Sequence, residues 1–471
     1  MTEAHDQILT VAQMRAAEGV LIAGSNRGAA AIDALMQVAG RGAAEWVWRM
    51  AAGRAVTVLC GPGNNGGDGY VIAEVIRARG GEVVVMAALA PATDAARNAA
   101  AQYRGLTLDG DAEPAGDVLV DCLFGSGLTR ALSAGHATLL GRLAVSHRLR
   151  IAIDLPSGID SDSGQCLNDG LPQFDLTVSL GAWKFAHFLM PAAALMGGLR
   201  LVDIGVAAVA GAGTVVRRPR LHAPAADAHK YRRGLLVVVA GHMPGATLLA
   251  CTAAQHAGAG YVKLLSDGVP AGVPCDLVVE EGDLVRRLSD SRISAALVGP
   301  GLGRDGAARQ RLAAALDCPA PAVVDADALM LLTPGLMAPR EAPTVATPHD
   351  GELAALERSF GLSGNGSKVQ RATALAAVSG MVVVAKGPDS VIAAPDGRIA
   401  CCPGASSWLA TAGTGDVLAG TIASRLAAGA EAFTAAGEGL WLHGEAAWRT
   451  KPPFTASQLA QGVAGAFDAC L

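Results

Sequence analysis

Two carboxylates in the first half of the sequence each follow a short apolar run. Asp121 follows Val118-Leu119-Val120, and Asp154 follows Ile151-Ala152-Ile153. A third run, Val56-Thr57-Val58-Leu59-Cys60, leads into Gly61-Pro62-Gly63-Asn64-Asn65-Gly66-Gly67-Asp68-Gly69. A strand, a glycine loop and a following helix leave backbone N–H groups at the positive end of that helix, which suits phosphate. The spacing is not the dinucleotide G-x-G-x-x-G pattern, and no Lys-Ser/Thr pair completes a P-loop. In open α/β sheets ligands sit at the carboxyl ends of strands, so Asn65, Asp121, Asp154 and Ser157 can meet in one crevice. Such hard oxygens suit K⁺ or Mg²⁺. The competing readings are local: a glycine-rich turn, and aspartates that cap helices.

The second half carries Thr411-Ala412-Gly413-Thr414-Gly415-Asp416-Val417-Leu418-Ala419-Gly420. Small residues let a helix begin with its amides free for a phosphate, and Asp416 in the first turn can act as base on a hydroxyl. A simple cap would also explain this motif.

The elements that must position these groups are parallel strands. The runs at 56–59, 83–86, 118–120, 151–153 and 176–179 are too short for helices and do not alternate, the pattern of strands covered on both faces. Helical patterns intervene, as at 70–79, and two Ala-rich helices are expected across 10–50. Strand-like runs restart at 235–239, 262–265, 295–298, 322–324, 382–384 and 391–393, with helical sequence from about Gly413 onward. Residues 207–224, with small residues and then prolines among arginines, read as a linker. The expectation is an α/β chain of two fused domains, 1–215 and 216–471, without internal repeat.

Composition narrows the class. The 471 residues hold 59 Gly and few aromatics, so the core is expected to be Ala, Val and Leu packed closely. With 37 basic and 42 acidic residues, net −5, a general nucleic-acid surface is not expected. No apolar run is long enough to cross a bilayer, and the start MTEAHDQ does not look like a secretion signal. Nine scattered Cys without CxxC suggest reduced thiols in the cytoplasm.

The stretches GPGNNGGDG, DCLFGSGLTR, DLPSGID and Gly181-Ala182-Trp183-Lys184, together with 14–18 and 35–40, resemble the NAD(P)H-hydrate epimerase family over roughly 10–205. The resemblance implies a Rossmann-like three-layer domain. It implies that Asn64, Asn65, Gly66, Gly67 and Asp68, with Gly125, Ser126, Gly127, Leu128, Thr129, Arg130 and Ala131, bind hydrated NADH or NADPH. It further implies that Asn65, Asp121 and Ser157 hold K⁺, and that Asp154 contacts the hydrated nicotinamide, where proton transfer is assigned to it.

GTGD and its company, His229-Lys230, Gly241, Gly245-Ala246, 258–260, 299–303, 325–329, Thr347-Pro348-His349-Asp350-Gly351-Glu352 and Lys386-Gly387-Pro388-Asp389-Ser390, resemble the ADP-dependent NAD(P)H-hydrate dehydratases over about 225–471. That resemblance implies a ribokinase-like α/β domain. Ala246, Gly301, His349 and Asp416 would face the hydrated nucleotide, while Lys386, Gly387, Pro388, Asp389, Ser390 and Gly415 bind ADP, with Mg²⁺ on the phosphates. Asp416 would activate the C6 hydroxyl to take a phosphoryl group, whose loss restores NAD(P)H and leaves AMP. Departures from the family pattern at Tyr231, His242, Pro244 and Ala412 are expected to cluster on the nucleotide side. A bifunctional repair enzyme, expected as a homo-oligomer, is the leading reading. A small-alcohol kinase and a non-catalytic first half are the alternatives.

Overall fold

Runs of β-branched and aliphatic residues that bury both faces build the sheets. The computed structural model describes residues 4–25, 30–114 and 116–471. The chain divides into Met1–Thr214 and Val215–Leu471.

The first unit contains β1 (Gln7–Leu9), β2 (Val56–Cys60), β3 (Val83–Ala87), β4 (Leu106–Leu108), β5 (Val118–Cys122), β6 (Leu149–Ile153), β7 (Leu176–Leu180), β8 (Trp183–Lys184), β9 (Gly198–Val202) and β10 (Gly213–Val215). Seven of them form a sheet in the order β4-β3-β2-β5-β6-β7-β9, with every adjacent pair parallel. The chain runs outward from β2 in one direction and from β5 in the other. That reversal opens a crevice at the carboxyl ends of β2 and β5, where ligands bind in this architecture. The glycine stretch expected as a loop is mostly helix: Asn64–Ala78 begins at Asn64, with Gly63 as its cap. A Cβ at Gly66 would lie 1.9 Å from the Gly61 carbonyl oxygen, and one at Gly69 2.7 Å from the Cys60 sulfur. These glycines let the helix press onto β2.

The second unit contains β11 (Leu235–Val239), β12 (Tyr261–Leu265), β13 (Val278–Glu280), β14 (Ile293–Val298), β15 (Ala322–Val324), β16 (Thr344–Ala346), β17 (Val382–Ala385), β18 (Val391–Ala393) and β19 (Ile399–Cys401). Their order is β13-β12-β11-β14-β15-β16-β17-β18-β19, parallel through β17 and antiparallel for the last two pairs. Here the reversal falls between β11 and β14. The C-terminal sequence forms helices Thr414–Ala427, Ala432–Arg449 and Ala456–Asp468. A Cβ at Gly420 would stand 2.1 Å from the Ala250 carbonyl oxygen, so this glycine sets the close approach to helix Pro244–His256.

The stretch 207–224 is not a free linker. Gly213 and Thr214 of β10 pair antiparallel with β1 in the first unit, opposite Ile8 and Gln7. In the second unit Val216 N donates to the Cys401 carbonyl and Leu221 N to that of Cys470. All nine cysteines are free.

Candidate active sites

At the crevice of the first unit lies a cavity of about 860 Å³. Asn64, Asn65, Asp68, Asp154 and the whole of 125–131 line it, and so do Glu18 and Lys184, to which the sequence assigned no role. Gly66 and Gly67 do not line it. They lie buried inside the helix, and a Cβ at Gly67 would sit 2.5 Å from the Met36 methyl.

Asp154 follows β6 with φ 67°, a left-handed backbone that an aspartate adopts only when its surroundings hold it. Its N–H donates to the Val178 carbonyl at 2.7 Å. The Ser126 N–H donates to its Oδ2 at 3.0 Å, and the Lys184 ammonium binds its Oδ1. Lys184 is 1% exposed and also donates to the Leu180 carbonyl at 2.7 Å. Burial pushes the Asp154 carboxyl up, but Lys184 and the Ser126 N–H outweigh it and hold it down at about 2. Asp68 goes the other way: burial, then the charges of Asp154 and Glu18, raise it well above the ordinary carboxyl value.

Asp121 and Ser157 are buried and are not among the cavity's lining residues. Asp121 accepts from Leu123 N at 3.0 Å, Ser157 N at 2.9 Å and the Ser157 hydroxyl at 2.8 Å. A carboxylate has about four acceptor positions, so three donors leave room for another partner. Burial pushes Asp121 up to about 6. Both amide atoms of Asn65 are buried, with no hydrogen-bond partner among the described residues. The Asn65 amide oxygen lies 3.2 Å from where a Gly125 Cβ would stand, and an orphaned amide oxygen, a buried carboxyl and a hydroxyl are donors of the kind that fit a monovalent cation.

In the second unit the loop after β14 is held against the start of helix Pro244–His256. Met243 N donates to the Gly301 carbonyl at 2.9 Å, and the Thr247 hydroxyl to that of Pro300 at 3.0 Å. This puts Gly301 beside the turn of Ala246. Gly301 has φ 64°, and a Cβ there would meet the Met243 carbonyl oxygen at 2.2 Å. Lys386, at the end of β17, donates to Asp325 Oδ1 at 2.7 Å and lies 3.8 Å from Glu352. Its ammonium is also 3.5 Å from where a Gly415 Cβ would stand, which joins it to the start of helix Thr414–Ala427. Burial, then Asp325, push the Asp416 carboxyl up to about 7 despite Lys386. A buried His443 holds this helix start through the Thr414 carbonyl, at 3.0 Å.

The other residues singled out have local partners of their own. His349 caps helix Asp350–Ser359, its Nδ1 accepting from Gly351 N at 3.0 Å, with its Nε2 3.4 Å from Glu352. Gly387 and Ser390 close the turn between β17 and β18, Pro388 lies in that turn, and Asp389 is paired with Lys368. Tyr231 is not on the nucleotide side. It precedes β11, at the amino end of the parallel strands and so opposite the end that carries Lys386, with its ring edge-on to Tyr261 and under Arg292. His242 pairs with Asp305 at 2.9 Å, and Pro244 is the first residue of its helix.

Two doubly wound units, each with a lysine–carboxylate centre at the carboxyl ends of its parallel strands, define an α/β enzyme with two nucleotide-type sites. Residues 236–465 match the family described as NAD(P)H-hydrate dehydratase, and residues 32–186 match YjeF-related protein N-terminus. A bifunctional NAD(P)H-hydrate repair enzyme of Mycobacterium leprae is 33% identical over 93% of this chain and 93% of its own. One of Moorella thermoacetica is 33% identical over 84% and 83%. An ADP/ATP-dependent NAD(P)H-hydrate dehydratase of Bacillus subtilis, co-crystallized with ATP/Mg²⁺, covers 54% of this chain and 95% of its own at 28% identity, with a TM-score of 0.48. The chain belongs to the bifunctional NAD(P)H-hydrate repair enzyme family. Among the described residues no helix is long and apolar enough to cross a membrane.

Proposed function

We propose that the first unit epimerises the R and S hydrates of NADH and NADPH, and that the second dehydrates the S hydrate with ADP, giving NAD(P)H, AMP and phosphate. The observation that carries the first half is the 860 Å³ cavity at the β2/β5 reversal, with the fixed Asp154 carboxylate inside it. That volume is in the range of cofactor sites. The 125–131 loop and the amides at the start of helix Asn64–Ala78 receive the phosphates, and Asp154 faces the hydrated ring carbon. Loss of the C6 oxygen as water develops positive charge on the ring, and an anchored carboxylate stabilises it; in the alternative route the C6–N1 bond breaks reversibly and the oxygen stays on C6 as an aldehyde. Asn65, Asp121 and Ser157 would hold K⁺, which would balance the Asp121 charge.

In the second unit Asp416 takes the proton of the C6 hydroxyl as that oxygen receives the phosphoryl group of ADP. A base near 7 is matched to this task at neutral pH. Lys386 and the amides at Gly415 balance the charge of the donor. Ala246, Gly301 and His349 border the hydrated ring, while 387–390 border the donor. Mg²⁺, when bound on the donor's phosphates, would neutralise the transferring group.

The test is incubation of the purified chain with mixed hydrates, ADP, Mg²⁺ and K⁺. Full return of the NADH absorbance is expected. Return of about half, from the S hydrate alone, would remove the epimerase half of the reading, and no return would remove the dehydratase half.

A further inference from the structure

Of the three carboxyl residues that line the cavity of the first unit, Glu18, Asp68 and Asp154, the two aspartates stand under opposite constraints. Both oxygens of Asp154 are committed: Oδ1 to Lys184 Nζ, with Leu180 N at 3.4 Å, and Oδ2 to Ser126 N at 3.0 Å. Its main chain is fixed as well, since the carbonyl oxygen meets His187 Nε2 at 2.9 Å. A side chain held at every polar atom cannot turn to collect and deliver a proton. Asp68 lies in the second turn of helix Asn64–Ala78, lines the same cavity and is 7% exposed. Among the described residues no donor is hydrogen-bonded to its carboxyl. It is a buried, oriented and uncommitted acid.

We propose that Asp68 carries the proton that moves on and off the C6 oxygen of the hydrated cofactor, and that Asp154 is the fixed counter-charge to the ring. This rests on the epimerase reading of the first unit and divides the expected role of Asp154 between two residues.

The charged and titratable groups around Asp68 agree with it. Glu18, with Arg15, comes from helix Val11–Gly24, Asp154 and Lys184 stand across the cavity, and the thiols of Cys60 and Cys122 come from β2 and β5. Burial, Asp154 and Glu18 favour protonated Asp68, and Lys184 alone opposes them. The pair is therefore one acid and one anion, the arrangement by which two carboxyls take separate roles at one pH.

The step balances without a redox partner. Asp68 gives its proton to the C6 hydroxyl, the C6–O bond breaks and water leaves. The N1 lone pair forms a C6=N1 double bond, and the resulting cation faces Asp154. Water adds to the opposite face of C6, the double-bond pair returns to N1, and the surplus proton passes through the departed water to Asp68.

The experiment uses the full chain with purified R hydrate and follows R-to-S exchange across pH, with turnover of purified S hydrate as a control on folding. D68N is expected to slow exchange by about 100-fold or more, the scale of losing one proton-transfer group, with KM little changed and S-hydrate turnover kept. Wild-type exchange should fall as pH rises and Asp68 loses its proton, and D68N should lack that limb. D68E should recover part of the rate with the limb displaced. D68N exchange within about threefold of wild type, or an unchanged limb, overturns the assignment alone. If D68N also loses S-hydrate turnover, D68E decides, and an unmoved limb there overturns it. A wild type with no exchange overturns the epimerase reading and this assignment together.

Discussion

Both units place a lysine among carboxylates at the carboxyl ends of parallel strands, yet the two key aspartates are set in opposite directions. In the first unit Lys184 binds Asp154 itself, and the carboxyl is held at about 2. In the second, Lys386 is hydrogen-bonded to Asp325 at 2.7 Å and lies 3.8 Å from Glu352, so Asp416 feels the ammonium only at longer range. Burial and the Asp325 charge then win, and Asp416 stands at about 7. The same residue types yield a permanent anion in one site and a proton acceptor in the other. What decides is which carboxylate owns the lysine.

The largest expected effect comes from removing the acceptor. D416N should lower dehydration by about 100- to 10,000-fold while R-to-S exchange continues, read by following each activity on one preparation. Exchange lost in parallel would mean the units do not work independently.

Next comes the ownership of Lys184. K184M leaves a buried carboxylate without its partner, which costs about 3 kcal/mol or more of stability. Denaturant unfolding should begin earlier in K184M than in wild type. The sign follows from the lowered carboxyl. Asp154 contributes stability above its ordinary titration range and loses it as pH falls toward about 2, so the deficit of K184M should shrink in acid. A deficit independent of pH would remove the ion pair as its cause.

A smaller effect tests the second site. D325N removes the leading charge that raises Asp416 and frees Lys386 to turn toward it. Both changes lower the Asp416 value, so the rising limb of the dehydration profile should move to lower pH. The smallest effect concerns the cation. Replacing K⁺ by a larger organic cation should slow exchange and leave dehydration unaffected, and N65A should blunt this difference.

The aspartates were legible because each follows an apolar run that reads as a buried strand, and strand ends are where such sheets bind ligands. Lys386 was legible for the same reason. Lys184 was visible in a motif, but its pairing with Asp154, 30 residues away, exists only once β6 and β7 lie side by side. The opposite settings of Asp154, Asp68 and Asp416 could not be read at all, since they depend on burial and on neighbours from other elements. The glycines at 66, 67 and 69 show a subtler mismatch. Their abundance suggests a ligand loop, whereas the structure uses them to press a helix onto β2 and Met36. Tyr231 was misplaced because a residue just before a strand lies at the end away from the site, a fact set by strand direction. The edge strands β4 and β13 escaped because three-residue segments carry too little pattern to separate from turns.

The account stands most directly on the pH dependence of dehydration by wild type and D325N, measured as kcat/KM from about pH 5 to about pH 9 around the Asp416 value. It predicts a wild-type rate that rises with pH through a midpoint near 7, and a midpoint at lower pH in D325N. The shift separates Asp416 from titration of the donor's own phosphates, which the substitution leaves untouched. A wild-type profile that is flat across this range, or a midpoint that stays in place in D325N, would contradict it.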